Sequence, residues 1–198
     1  MNLKDTENKQ ETPILSFSSQ ADWRKWLELN HDNPNGIWLQ FFKKGSGVQT
    51  VKYAEALDEA LCFGWIDGQL KSLDEKAYLQ RFTPRRARST WSKRNIEHVA
   101  RLDFEGKMAP AGIKAVESAK NNGRWDNSYD SQSTMTIPED FQAELSRDPN
   151  IMVFWESLNK VNKFAIVWRI QTAHNEIIRK KRMMTLLAML ERGEKIHP

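Results

Sequence analysis

The chain has 198 residues, of which 39% are hydrophobic and 28% charged, and its formal net charge is +4. This length and composition indicate a soluble globular protein of one domain, or of one domain with an appendage. No run of about eighteen apolar residues occurs, so we expect no membrane span. Cys62 is the only cysteine, which excludes an internal disulfide. The N-terminus lacks the apolar region of a secretory signal, and both features favour a cytoplasmic location.

The first part of the chain mixes helix and strand patterns. Residues 1–13 are polar and predict a flexible tail. Ser19 is a suitable N-cap for a helix over about Gln20–Asn30. Branched and aromatic residues over Ile37–Lys43 predict a strand, and Tyr53–Cys62 has one apolar side that predicts a second helix.

A β-hairpin is predicted after the second helix. Its strands would cover about Gly64–Leu73 and Ala77–Thr83, because a turn at the earlier Asp-Gly dipeptide would leave too short a strand. The turn would then lie at Asp74-Glu75.

This hairpin register sets specific side chains opposite each other. Asp67 would lie near Phe82, and Gly68 near Arg81. The missing side chain of Gly68 would leave space for a long side chain or a ligand.

The rest of the chain is predicted to be helical. Ser92 is a natural N-cap for a helix from about Lys93 to Glu105, and Pro110 opens another that ends near Asn121. Residues 123–137 predict an irregular linker. Four further helical patterns follow with short breaks, over Pro138–Ser146, Pro149–Leu158, Asn162–Thr172 and Asn175–Arg192.

Together these patterns predict an α+β fold that is mainly helical. A small, largely antiparallel sheet would pack against helices on one side within residues 14–137, after the tail at 1–13. A helical C-terminal domain would follow over residues 138–198.

A basic and aromatic stretch lies between Glu75 and Glu97, where no other acidic residue occurs. Arginine beside aromatic rings suits a planar or phosphorylated anion. A solvated positive face that pairs with acids elsewhere is the alternative. Because the rest of the chain is net negative, the pattern disfavours nucleic acid as the partner. The seven basic residues are Lys76, Arg81, Arg85, Arg86, Arg88, Lys93 and Arg94.

We predict a ligand-binding site from this stretch. Trp65 and Trp91 would form stacking walls, and the helix start at Ser92 would offer free N–H groups to an anion. Asp67 would orient an arginine or a ligand hydroxyl. The complete set is Trp65, Asp67, Arg81, Arg85, Arg86, Ser89, Trp91, Ser92 and Asn95.

Asp67 is the weak candidate for a catalytic residue. If its carboxyl is buried, its pKa would rise and it could act as an acid or a base. The alternative is that Asp67 pairs with an arginine such as Arg81 and holds the hairpin in shape.

No metal or cofactor site is indicated. The four histidines are scattered singly, without metal-ligand spacing. Cys62 has no histidine nearby in sequence and fits a small core residue. A second basic run, Arg179–Arg182, fits the outer face of an amphipathic helix, with a nucleic-acid or partner contact as the alternative.

Seven segments occur in an order that is typical of a known family. They are ALCFGWIDG, KSLDE, QRFTPRR, STWSKRN, KMAPAG, GRW, and the stretch from FAIVWRIQTA through RKKR to LERGEKIHP. With them, about residues 14–198 resemble the YdeI/OmpD-associated family, also called bacteriocin-protection proteins. The resemblance implies a role in bacterial tolerance of bacteriocins and cationic antimicrobial peptides. It implies no reaction, cofactor or catalytic residue.

We therefore predict a cytoplasmic stress or antimicrobial-tolerance protein that binds a small anionic ligand and is not an enzyme. One alternative is an enzyme of unknown reaction that acts on a charged substrate through Asp67. The other is a nucleic-acid or protein adaptor that uses both basic runs. No stable membrane association is expected, and the sequence leaves the oligomeric state open.

Overall fold

The structure is a computed structural model that describes residues 12–198. The described chain divides into two units. The first unit comprises the described residues up to Ala87 together with His98–Glu117, and the second comprises Arg88–Glu97 together with Ser118–Pro198. Of the predicted tail, residues 1–11 lie outside the described residues, and the Pro13 carbonyl accepts a hydrogen bond from the Trp38 N–H at 2.9 Å.

The described residues form eight helices and one four-stranded sheet, which confirms a mainly helical α+β fold. The strands are β1 (Ile14–Leu15), β2 (Ile37–Phe42), β3 (Trp65–Ser72) and β4 (Ala77–Pro84). The first four helices are α1 (Gln20–Asn30), α2 (Tyr53–Cys62), α3 (Lys93–Phe104) and α4 (Pro110–Asn121).

The strands lie in the order β1-β2-β4-β3. The pairs β2–β4 and β3–β4 are antiparallel, as predicted, whereas β1 runs parallel to β2, so the sheet is mixed. Strand β1 was not predicted from the sequence. This strand has two residues, too few to show the two-residue period that marks a half-buried strand.

The predicted hairpin is confirmed. The carboxylate of Asp74 accepts hydrogen bonds from the main-chain N–H groups of Lys76 at 2.7 Å and Ala77 at 2.8 Å. A side chain that caps its own turn in this way explains why the chain reverses here and not at the earlier Asp-Gly dipeptide.

The register within the hairpin also agrees with the prediction. Asp67 pairs with Phe82, and a β-bulge follows between Asp67 and Leu70. A Cβ atom built on Gly68 would lie 3.6 Å from the Cβ of Arg81. Gly68 therefore lies beside Arg81 at the bulge, which is a usual place for glycine in a strand.

One face of the sheet packs on α1 and α2 and forms the core of the first unit. The indole N–H of Trp23 on α1 donates to the Ala56 carbonyl on α2 at 3.0 Å. The Trp23 ring lies 5.8 Å from the Phe82 ring and 6.2 Å from the Trp65 ring. Burial of such large aromatic rings supplies much of the stability of a small unit.

The second unit contains the four remaining helices, which agree with the predicted patterns to within two residues at each end. They are α5 (Glu139–Arg147), α6 (Pro149–Ser157), α7 (Lys160–Gln171) and α8 (Glu176–Glu191). Their apolar sides meet in one core, which consists of Phe141, Leu145, Trp155, Leu158, Ile166, Val167, Ile170, Leu186 and Leu190.

Candidate anion-binding site

Among the predicted site residues of the first unit, Arg81 has the surroundings that best suit an anion site. It pairs with Trp38 across β2 and β4, and its guanidinium carbon lies 5.7 Å from the centre of the Trp38 ring. One guanidinium nitrogen donates to the Asn35 carbonyl. The other terminal nitrogen is buried without a hydrogen-bond partner among the described residues. Burial lowers the pKa of Arg81, because a desolvated cation is less stable than a hydrated one.

Asp67 lies on the other face of the sheet from Arg81, since it pairs with Phe82, the next residue along β4. Its carboxylate accepts a hydrogen bond from the Tyr53 hydroxyl at 2.7 Å and a long one from the Gln80 amide at 3.5 Å. The suggested pairing of Asp67 with Arg81 is therefore wrong, because successive strand residues point to opposite faces.

Trp65 belongs to the core of the first unit. It has no exposed surface, and its indole N–H donates to the His31 carbonyl at 2.7 Å. The two predicted arginines that follow β4 differ in exposure, since Arg85 is half-buried and Arg86 is exposed. The main-chain N–H of Arg85 donates to the Gly64 carbonyl at 2.9 Å, which joins this segment to the start of β3.

The other four predicted site residues belong to the second unit. Trp91 is buried against Trp125, with the ring centres 5.0 Å apart. Ser92 caps α3, because its hydroxyl accepts the Asn95 N–H at 3.1 Å. Ser89 is half-buried in the segment that precedes α3. The nine predicted residues thus divide between the two units, and their common site stays a prediction.

A cavity of about 720 Å³ in the second unit brings together cations that lie far apart in the sequence. We call it the Arg94 cleft. Its lining residues come from the start of α3, the segment before α5 and the start of α7. They are Arg94, Ser131, Gln132, Ser133, Met135, Lys160 and Lys163.

Asp130 positions the serine-bearing wall of the Arg94 cleft. Its buried carboxylate forms an ion pair with Lys93 at 2.7 Å and accepts hydrogen bonds from the Gln171 amide at 2.8 Å and the Thr136 hydroxyl at 2.8 Å. Burial alone would raise the pKa of Asp130, but these donors outweigh it and hold the pKa well below its usual range. The carboxylate is therefore ionised, and it ties residues 130–136 to α3 and α7.

The cations of the cleft are not neutralised by described carboxylates. Arg94 and Lys160 are exposed, and neither forms an ion pair or a side-chain hydrogen bond with another described residue. The Lys163 ammonium donates to the Glu156 carbonyl at 3.2 Å and lies 5.6 Å from the centre of the Trp155 ring. These contacts hold Lys163 in place and leave its positive charge uncompensated.

Two helices begin at this cleft. Arg94 is the second residue of α3 and Lys160 is the first residue of α7. A helix N-terminus carries a partial positive charge, which adds to that of the side chains and attracts anions. Arg94 belongs to the basic stretch that the sequence singles out, whereas Lys160 and Lys163 were not predicted as site residues. The only local sign of a helix start beside them is the N-cap residue Asn159.

No metal centre is found among the described residues. Within residues 12–198, no group of three or more His, Cys, Asp or Glu side chains is placed to hold a metal ion. Over the same residues, no helix has both the length and the apolar character needed to cross a membrane.

Two known families match separate parts of the chain. Residues 134–193 match the family described as "Bacteriocin-protection, YdeI or OmpD-Associated". Residues 15–115, just over half of the chain, match the family described as "Domain of unknown function (DUF8412)". Most of the N-terminal motifs on which the resemblance to the YdeI/OmpD-associated family rested thus lie within the DUF8412 match. No curated protein and no solved structure matches the chain. The chain therefore belongs to the DUF8412 family, which matches its residues 15–115, and its residues 134–193 are similar to the bacteriocin-protection, YdeI or OmpD-associated family.

Proposed function

We propose that the protein binds a small anion with two or more negative charges, such as a phosphorylated metabolite, in the Arg94 cleft. One observation carries the proposal. Arg94, Lys160 and Lys163 line a single cavity of about 720 Å³, and no acidic residue is part of that lining. Pockets for small molecules usually measure about 300–1,000 Å³, so the cleft has room for a ligand of nucleotide size.

Electrostatics favours a multiply charged anion over a singly charged one. Three cations around one cavity repel each other, and an anion that contacts all three replaces this repulsion by attraction. The hydroxyls of Ser131 and Ser133 add neutral donors. Arginine and lysine together can bind a phosphate through a planar fork and a point charge.

The family that matches residues 134–193 supplies the biological setting of the proposal. Its description names bacteriocin protection, which supports a role in bacterial tolerance of antimicrobial agents. A cytoplasmic location is also part of the proposal, because the single cysteine, Cys62, is buried as a free thiol and reduced thiols are usual in that compartment.

The test measures binding by isothermal titration calorimetry with pyrophosphate, ADP and adenosine. We expect the two anions to bind and adenosine not to bind. The double variant Arg94→Gln/Lys160→Gln should weaken pyrophosphate binding by at least about tenfold, and it should fold normally because neither side chain has a described partner. Lys180→Gln is the matched control, since Lys180 lies on α8 and pairs with Glu176. Equal binding to the double variant and to the native protein would refute the proposal.

Arg81 offers a second candidate site, and the observation in its favour is the buried guanidinium nitrogen without a described partner. A ligand anion would supply that partner, while Trp38 would shield it from water. In the same titration, loss of pyrophosphate binding in Arg81→Gln but not in Arg94→Gln/Lys160→Gln would move the anion site to the sheet.

A further inference from the structure

A second cavity of the second unit, of about 610 Å³, lies between α7, α8 and the C-terminal segment. We call it the Trp168 groove, and it shares no lining residue with the Arg94 cleft. Its walls combine apolar side chains with basic ones, and no acidic residue belongs to them. The lining residues are Trp168, Arg169, Ile178, Lys181, Arg182, Thr185, Leu186, Met189 and Ile196.

The two arginines of the groove are held by main-chain carbonyls. One guanidinium nitrogen of Arg169 donates to the Ala165 carbonyl at 2.7 Å, and one of Arg182 donates to the Arg169 carbonyl at 2.7 Å. Both side chains are half-buried. Neutral carbonyls fix the position of each guanidinium but leave its charge uncompensated, and neither arginine forms an ion pair with a carboxylate of residues 12–198.

The basic run of α8 is divided by its partners. Arg179 forms an ion pair with Asp140, and Lys180 lies 3.9 Å from the Glu176 carboxylate. Lys181 and Arg182 have no described acidic partner and line the groove instead. The sequence suggested one basic face for the four residues, whereas in the structure Arg179 and Lys180 have acidic partners and Lys181 and Arg182 have none among the described residues.

The remaining walls of the groove are apolar. Leu186 belongs to the helical core, and Trp168, Met189 and Ile196 are half-buried around the cavity. Open apolar surface next to three uncompensated cations favours a ligand with an apolar body and an anionic head, because each part then meets its complement.

We propose that the Trp168 groove binds a single-chain amphiphile with an anionic head group, such as a fatty acid. The apolar chain lies against Trp168, Leu186 and Met189, and the head group lies between Lys181 and the two arginines. A volume of about 610 Å³ matches one small-molecule ligand.

The test uses terminally brominated dodecanoate below its micelle concentration, because bromine quenches the fluorescence of a tryptophan that it contacts. We expect saturable quenching in the native protein and loss of most of that quenching in Trp168→Phe. Dodecyltrimethylammonium, with the same chain and a cationic head, should not compete with the probe.

The head-group contacts are tested by charge variants on one helix. Lys181→Gln should weaken dodecanoate binding by about threefold, and Lys181→Gln/Arg182→Gln by about tenfold or more. Arg179→Gln and Lys180→Gln are the matched controls and should bind as the native protein does. Circular dichroism verifies that the variants fold, and Lys181→Gln keeps the test decisive if the loss of Arg182 disturbs the fold.

Three outcomes would overturn the proposal. The first is equal binding of dodecanoate and dodecyltrimethylammonium, and the second is quenching that persists in Trp168→Phe. The third is binding of an acidic amphipathic peptide in place of dodecanoate, which would make the groove a peptide site. Because the two cavities share no residue, failure here leaves the anion proposal for the Arg94 cleft intact.

Discussion

Lys93 and Asp130 form an ion pair of 2.7 Å that joins the first residue of α3 to the wall of the Arg94 cleft. The carboxylate is almost fully buried, whereas Lys93 remains largely exposed. Because only the Asp130 charge is buried, it is the charge that must be compensated by protein groups, whereas water can solvate Lys93.

We expect Asp130→Asn to lower the free energy of unfolding by about 2 kcal/mol, because the amide cannot accept hydrogen bonds at both of its terminal atoms. Urea denaturation at neutral pH measures this loss. Asp126→Asn is the control, since Asp126 is exposed and its side chain forms no described hydrogen bond or ion pair. A loss of equal size in both variants would contradict the structural role assigned to Asp130.

The same carboxyl group should make stability depend on pH. The pKa of Asp130 lies below its ordinary value of 3.8 in the folded protein. As the pH falls below about 4, the unfolded chain binds a proton that the folded state rejects, so the stabilisation by Asp130 is lost. The difference in unfolding free energy between the native protein and Asp130→Asn should be full at neutral pH and shrink toward about pH 3. A difference that grows on acidification would reverse the sign and refute this account.

Asn162 should hold the C-terminal segment in place. Its buried side chain accepts the main-chain N–H groups of Ile196 at 3.0 Å and His197 at 2.9 Å, and its amide donates to the His197 carbonyl at 3.2 Å. Asn162→Ala leaves these groups without a protein partner, and we expect a loss of about 2 kcal/mol by thermal or urea unfolding. His197→Ala is the matched control. It should be near neutral, because the bonds to Asn162 use only the main chain of residue 197.

Gly112 should tolerate no larger side chain. A Cβ atom there would lie 2.1 Å from the Cys62 carbonyl oxygen, which is far inside van der Waals contact. We expect Gly112→Ala to lower the unfolding free energy by about 2 kcal/mol or more, because α4 must move away from the end of α2. Gly45→Ala separates this effect from backbone strain. Gly45 has a φ of 94° and open space around it, so its substitution measures the cost of positive φ alone, about 1 kcal/mol.

Local sequence signals determined most of the elements. The side chain of Ser19 accepts the Asp22 N–H at 3.2 Å and starts α1 where the capping pattern predicted it. Asp74 and the alternation that follows it set the hairpin. Such signals are readable because each depends on residues only a few positions apart. Ile14–Leu15 forms a strand through its pairing with Trp38–Leu39. A segment of two residues has no local sequence pattern from which this pairing could be predicted.

The functional surfaces depended on contacts between distant residues. Sequence alone identified Arg94 as part of a basic stretch and Arg182 as part of a basic run. It could not show that Lys160 lines the same cavity as Arg94, or that Arg179 and Lys180 have acidic partners while Arg182 has none among the described residues. Nor could it decide that Trp65 and Trp91 are buried in cores. Charge and aromaticity are properties of single residues, whereas convergence, burial and compensation depend on which helices pack together, and only the tertiary structure decides that.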